Sequence, residues 1–231
     1  NPNLLSERQN ISLDTSNPAG LTSYLAKRAT SDFPEIPDVN FEICSVPSSM
    51  EPHLSPAFYL TPPIDNYKEN SVYINRGGNT NMDELFPTLA HEGYPGHLYQ
   101  TVYSYESGIC PARNLLNYPG YIEGWATYVE MQSYSYSDVD ESVASMLRID
   151  TDYTISLYAQ SDIGLNYYGW TREEFEDFWA TYGVTDKETL DLVKHNAYSL
   201  VDNLRLDKQI RIFSGVRAVS DTGDFVIEEV S

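Results

Sequence analysis

At 231 residues the chain is long enough for one domain with a sizeable core. Hydrophobic residues make up 41% of it and tyrosine occurs 19 times, a globular composition and not that of a disordered tail. Acidic residues outnumber basic ones by 34 to 14, and the resulting charge of −20 makes nucleic acid and anionic membrane surfaces poor partners. The plainest reading of that charge is a well-solvated surface, and the functional one is attraction of cationic peptides or metal ions. No stretch approaches the roughly 20 apolar residues that span a bilayer, so no membrane insertion is expected. No secretory leader stands at Asn1, and the start reads as internal to a longer chain. Few lysines among many Tyr, Ser, Asp and Asn point to an extracellular or cell-surface protein, with the cytoplasm as the alternative. Cys44 and Cys110 fit either one disulfide in a secreted protein or two buried, unpaired thiols.

Residues 1–20 carry Asn, Ser, Pro and Gly with little periodicity and read as a loose lead-in. Leu21, Tyr24, Leu25 and Arg28 follow helical spacing, and Pro34 and Pro37 close that segment. Residues 40–46, 56–60 and 71–75 read as three strands, with 65–70 as the turn before the third. They are expected to form a small antiparallel sheet. Thr80 with Asp83 resembles a capping box, and Pro87 fits the first turn of a helix that starts near Phe86. From Leu85 to Tyr103 the chain is apolar and aromatic, as a buried helix requires.

Inside that stretch lies Ala90-His91-Glu92-Gly93-Tyr94-Pro95-Gly96-His97, holding two of the chain's four histidines. Two neutral imidazoles with an adjacent glutamate are the parts of a hydrolytic zinc site: the rings hold the metal and the carboxylate handles the proton. The common form spaces the histidines four apart on one helix face. Here they are six apart, and six helical steps turn about 600°, leaving the second ring about 120° off the first ring's face. Pro95 cannot donate to the His91 carbonyl, and Gly96 can take backbone angles closed to other residues. Together they can open a bulge that returns His97 to the side of His91. The plain structural alternative is a surface Pro-Gly turn with two incidental histidines.

Further on, Tyr121-Ile122-Glu123-Gly124-Trp125-Ala126-Thr127-Tyr128-Val129-Glu130 reads as part of a helix over 121–134, with Glu123 and Glu130 seven apart on one face. Together the two stretches, His-Glu-x-x-Pro-Gly-His and Glu-Gly-Trp-Ala-x-Tyr-x-Glu, resemble the bacterial DUF885 family between about Ala57 and Trp170. That family looks like a branch of the gluzincin metallopeptidases. The resemblance implies a zincin-like, mainly α (α+β) domain with one zinc ion per chain. It implies His91, His97 and Glu123 as ligands, Glu92 as the catalytic base and a peptide as substrate. Glu130 orients a zinc-bound histidine through its other ring nitrogen, or is a solvated helix acid. Trp125 and Tyr128 read as core. In zincins the strand nearest the cleft takes substrate as an added strand, which makes the strand around Phe58 or Tyr73 the expected substrate-binding element. A plain structural hairpin is the other reading.

Residues 138–166 read as a long helix. Asp162 to Trp170 resembles a family segment in which many relatives carry histidine where this chain has Asn166. If that histidine steadies the oxyanion, the Asn166 amide or another donor must do so here. Thr171 caps a helix to about Tyr182, and Thr185 with Glu188 opens another to about Leu206. That last helix carries His195, read as a surface or packing residue, and Tyr198, a candidate transition-state donor. The whole chain reads as a single catalytic domain over 1–231: lead-in and short helix at 1–40, small sheet at 41–76, helical metal-site region at 80–231. Two other classes compete with a zinc peptidase. One is a metal- and peptide-binding module without turnover, and the other is a zinc amidase for small amides.

Overall fold

The computed structural model describes residues 16–184, apart from 37, 64, 78–83, 115 and 117. The Thr80–Asp83 and Thr185–Glu188 capping boxes, the last helix, His195 and Tyr198 lie outside the described residues. The class is the expected one, mainly helical with a single small sheet. The chain divides into two compact units, the first ending at Asp152 and the second beginning at Tyr153. No helix among the described residues is long and apolar enough to cross a membrane.

The first unit opens with α1 (Pro18–Ala29), earlier than the sequence suggests. The Asn17 side chain accepts the Gly20 N–H at 3.0 Å, and Pro18 loses nothing at a position whose N–H has no helical partner. Leu21, Leu25 and Ala29 face inward with helical spacing. The strands are β1 (Asn40–Ser45), β2 (Ala57–Leu60) and β3 (Glu69–Ile74). The expectation of an antiparallel sheet fails in one pairing. The order is β1-β3-β2, with β3 antiparallel to β2 but parallel to β1. The connection over 46–56 holds Pro47, Pro52 and Pro56 and a turn of 3₁₀ helix, so it cannot close a tight β1–β2 hairpin. The most buried strand takes the centre instead: Val72 and Ile74 of β3 are almost wholly covered. The buried Asn75 amide, bonded to the carbonyls of Glu51 and Leu54, ties this connection to the end of β3.

One face of the sheet packs on helices. Ala57, Val72 and Ile74 join Leu21 and Leu25 of α1, Phe86, Leu89 and Ala90 of α2 (Leu85–Glu92), and Leu98 and Val102 of α3 (His97–Glu106) in a single cluster. Pro87 sits in the first turn of α2, where it is tolerated. After a single helical turn at Pro111–Asn114 comes α4 (Pro119–Ser133), which packs against α2 and α3. Ala144 and Leu147 of α5 (Glu141–Ile163) bury against Tyr134. Cys44 and Cys110 are both free; the first is half-buried and the second exposed, which corrects the expectation of two buried thiols.

In the second unit, Leu157 packs with Phe175 and Trp179 of α6 (Arg172–Thr181). Gly164 opens a wider helical turn over Gly164–Tyr168 and lies against the Trp170 ring, where an added Cβ would come within 2.2 Å. Thr171 and Glu174 cap α6 reciprocally.

Candidate metal centre

The stretch expected to be one bulged helix is two helices. α2 stops at Glu92, α3 starts at His97, and residues 93–96 form a turn with a cis Tyr94–Pro95 peptide. The Tyr99 N–H reaches the Gly93 carbonyl at 3.3 Å and the Gln100 N–H reaches the Gly96 carbonyl at 2.9 Å. Gly96 is needed for the reason the sequence suggests and for a second one. Its φ of −79° with ψ of −132° lies outside the α and β regions, and an added Cβ would stand 1.7 Å from the His91 oxygen and 2.3 Å from that of Ala90. The turn folds tightly back on the end of α2, and only a bare Cα fits. The result brings the two rings together, His91 and His97 centroids lying 4.8 Å apart and nearly perpendicular.

From the other side α4 presents Glu123 and Glu130 on one face, with Ala126 and Val129 buried. One oxygen of Glu123 lies 3.6 Å from Nε2 of His91 and 3.7 Å from Nε2 of His97. Both distances are too long for hydrogen bonds. They are close to the edge of a zinc tetrahedron, since bonds of about 2.0–2.2 Å set ligand atoms roughly 3.3–3.6 Å apart. Two imidazoles and a carboxylate also form a common catalytic zinc donor set, so the residues fit the metal that the sequence implies. Glu92 lies near the histidines as well, with His91, Glu92 and His97 offering ligand atoms within 4.8 Å of one another. Its Oε2, however, accepts the peptide N–H of Tyr59 at 2.7 Å. The oxygen equidistant from both rings belongs to Glu123, which makes Glu123 the better third donor.

Behind His91, its Nδ1 lies 2.9 Å from Oε2 of Glu130. With the ring proton on Nδ1, the Nε2 lone pair faces Glu123. The two histidines are electrostatically unlike. Burial works against a charge on His91, but the carboxylates of Glu123, Glu130 and Glu92 outweigh it and push the ring up to about 10. Burial and then the neighbouring His91 charge push His97 down to about 4, against the pull of Glu123. Burial raises the Glu92 carboxyl to about 7, opposed by His91 and the Tyr59 N–H and reinforced by the other two carboxylates.

Phe58 and Tyr73 stack on each other, centroids 5.1 Å apart. Strand alternation puts them on the sheet face opposite Ala57, Tyr59 and Val72, so it is the β2 backbone at Tyr59, not those rings, that reaches Glu92. Asn166 belongs to the second unit, where its amide donates to Asp162 at 2.7 Å. Two contacts were not legible. The Tyr59 N–H points away from β3, a direction set by register alone. Trp125 is half-buried and donates its Nε1–H to the Pro95 carbonyl at 2.8 Å, although the sequence marks it only as core; Tyr128, also read as core, is exposed.

Fold and site together describe a mainly helical α+β protein with a histidine–carboxylate cluster between a broken helix and a straight one. The chain belongs to the family described as "Bacterial protein of unknown function (DUF885)", which matches residues 19–191. Among solved structures it is similar to "the putative lipoprotein from Colwellia psychrerythraea", with a TM-score of 0.62 and 23% identity over 78% of this chain. The chain spans 31% of that protein's length. No curated protein matches it.

Proposed function

We propose that this chain carries the catalytic centre of a zinc-dependent peptidase of gluzincin type, with one zinc ion held by His91, His97 and Glu123. The observation that carries this reading is the single Glu123 oxygen at 3.6 and 3.7 Å from two imidazole nitrogens, a spacing suited to a shared ion and not to hydrogen bonds. When bound, zinc polarises the scissile carbonyl and acidifies a water. Glu92 takes that water's proton on its carboxylate and returns it to the departing amine nitrogen. Burial raises that carboxyl, the direction that suits a group which must both take and return a proton. Glu130 holds the His91 Nδ1 proton and keeps the Nε2 lone pair aimed at the metal.

A peptide is favoured over a small amide by the position of β2. It is an edge strand, and its outward Tyr59 N–H reaches the proposed base. An extended peptide pairing along that edge passes its backbone beside Glu92. An extracellular or cell-surface setting agrees with the lysine-poor composition and with the lipoprotein description of the structural neighbour. A metal- and peptide-binding module without turnover is the rival, favoured by the amide of Asn166 being engaged by Asp162 within its own helix.

Elemental analysis after purification in zinc-containing, chelator-free buffer should give one zinc per chain. Incubation of that protein with a mixed peptide library and with small amides should release new peptide termini and leave the amides intact. Absence of stoichiometric metal refutes the centre, and bound zinc with no cleavage transfers the reading to the binding module.

A further inference from the structure

We propose that Trp125 is a positioning residue of the metal centre: its indole N–H clamps the Pro95 carbonyl and fixes the turn that aims His97 at His91 and Glu123. The inference rests on the zinc reading but not on peptidase activity. Pro95 is fully buried, and its carbonyl belongs to a turn with no helical ladder to hold it. A buried carbonyl of this kind needs a partner, and Nε1 of Trp125 supplies one at 2.8 Å. The donor comes from α4, two residues beyond Glu123. The acceptor lies two residues before His97. One hydrogen bond therefore joins the helix that carries the acidic donor to the turn that places the second histidine.

The indole is itself held in orientation. It stacks on Tyr99 of α3, with centroids 6.1 Å apart and planes 15° apart, and meets Phe33 edge-on at 5.4 Å. The Tyr99 hydroxyl donates to the Pro34 carbonyl at 2.7 Å, fixing that stack against the segment after α1. Rotation of the indole would break the ring contacts, and release of the N–H would leave the Pro95 carbonyl without this donor, the turn then being held by the bonds at Gly93 and Gly96 and by the packing of Tyr94 on Phe41. His97 begins α3 directly after the turn, so any shift of Pro95 moves its ring against Glu123. A residue that merely filled the core would need the rings and not the N–H.

The test separates ring from N–H. Trp125 is replaced by β-(3-benzothienyl)alanine, which keeps the shape and has sulfur in place of N–H, through an expanded genetic code. Trp125→Phe serves as a second variant, and Leu147→Ala, in the separate cluster against Tyr134, as a packing control. Each is measured in the full chain for zinc affinity by chelator competition, for the visible spectrum of the cobalt(II) form, and for melting without metal. The two Trp125 variants should bind zinc about tenfold or more weaker, as loss of groups that orient ligands does, with a cobalt spectrum moved away from the tetrahedral form. The analogue's metal-free melting temperature should stay close to that of the parent. Leu147→Ala should melt lower, as a truncated core residue does, yet keep its zinc affinity. Trp125 variants that bind zinc like the parent, or an analogue whose affinity falls only in step with its metal-free melting temperature, overturn the inference while leaving the zinc reading in place. A parent chain that binds no zinc removes both.

Discussion

The two stretches that face each other across the site solve one problem in opposite ways. α4 is unbroken, and helical period alone sets Glu123 and Glu130 side by side. The stretch over 85–106 carries its two histidines six residues apart, a spacing no helix can aim at one point, and it breaks. Its two halves are then held by contacts from outside: the Pro95 carbonyl to Trp125, and the carbonyls of Ala90 and His91 pressed against Gly96. A pair of side chains on a straight helix is self-sufficient, whereas a pair across a turn depends on the surrounding structure. Substitutions in the turn should therefore cost the metal, and substitutions on the outer surface of α4 should not.

The largest effect is expected at the group enclosed between the two stretches. Glu92→Gln should lower peptide hydrolysis by about 10³–10⁴-fold, the upper range for a general base that serves both proton transfers. Zinc content should stay at one per chain, read by elemental analysis beside the kinetics. Retention of more than about a tenth of the parent rate would remove Glu92 as the base.

Gly96→Ala tests the dependence of the turn most directly. The new methyl meets backbone oxygens at 1.7 and 2.3 Å, and neither can swing aside. Overpacking of this kind costs about 1–3 kcal/mol, and the upper end is expected in urea unfolding of the metal-free chain. Zinc affinity should fall by about 100-fold, at the limit seen for lost supporting groups.

On α4 the sensitive position is Glu130, because its contact reaches across to His91. Glu130→Leu removes both charge and acceptor and should weaken zinc by up to about 100-fold, and Glu130→Gln, which keeps an acceptor, by about tenfold. Equal affinity in all three proteins would make Glu130 a solvated acid.

The unlike histidines give a smaller, pH-dependent signature. His91 sits near 10 before metal enters, so at pH 7–8 it carries a proton that zinc must displace; His97, near 4, is already neutral. Raising the pH from 7 to 8 should therefore tighten zinc roughly tenfold, with about one proton released per ion, as ligands that must deprotonate require. Calorimetry in buffers of different ionisation enthalpy measures that proton, and a flat response would contradict the assigned charge on His91.

The smallest effect is expected on the exposed side of α4. Gly124 has open space where a Cβ would go. Gly124→Ala should stabilise the chain by about 0.5–1 kcal/mol in thermal melting, the usual gain for a glycine in a helix interior. Zinc affinity should not change. A loss of affinity would show that α4 is as finely placed as the turn.

The residues that meet at the centre could be named from the sequence because their types and order are local facts. A histidine with an adjacent glutamate, and two acids seven apart in a helical run, need no knowledge of the rest of the chain. The strands, the first-turn place of Pro87 and the Thr171 cap were legible for the same reason, since each depends on a few neighbouring residues. Tertiary structure decided the rest. The parallel pairing of β1 with β3 follows from a proline-rich connection and from which strand buries most, a competition among distant segments. The Tyr59 N–H faces Glu92 because of strand register, which no residue type encodes. Gly96 gained a second role, close approach, beside its backbone freedom once the end of α2 stood against it. Trp125 looked like any core aromatic until the fold set a buried carbonyl within reach of its N–H. Composition and period act along the chain, and so a sequence displays them. Which polar group meets which across a core is settled only when segments far apart have packed, because only then does each buried donor and acceptor find its partner.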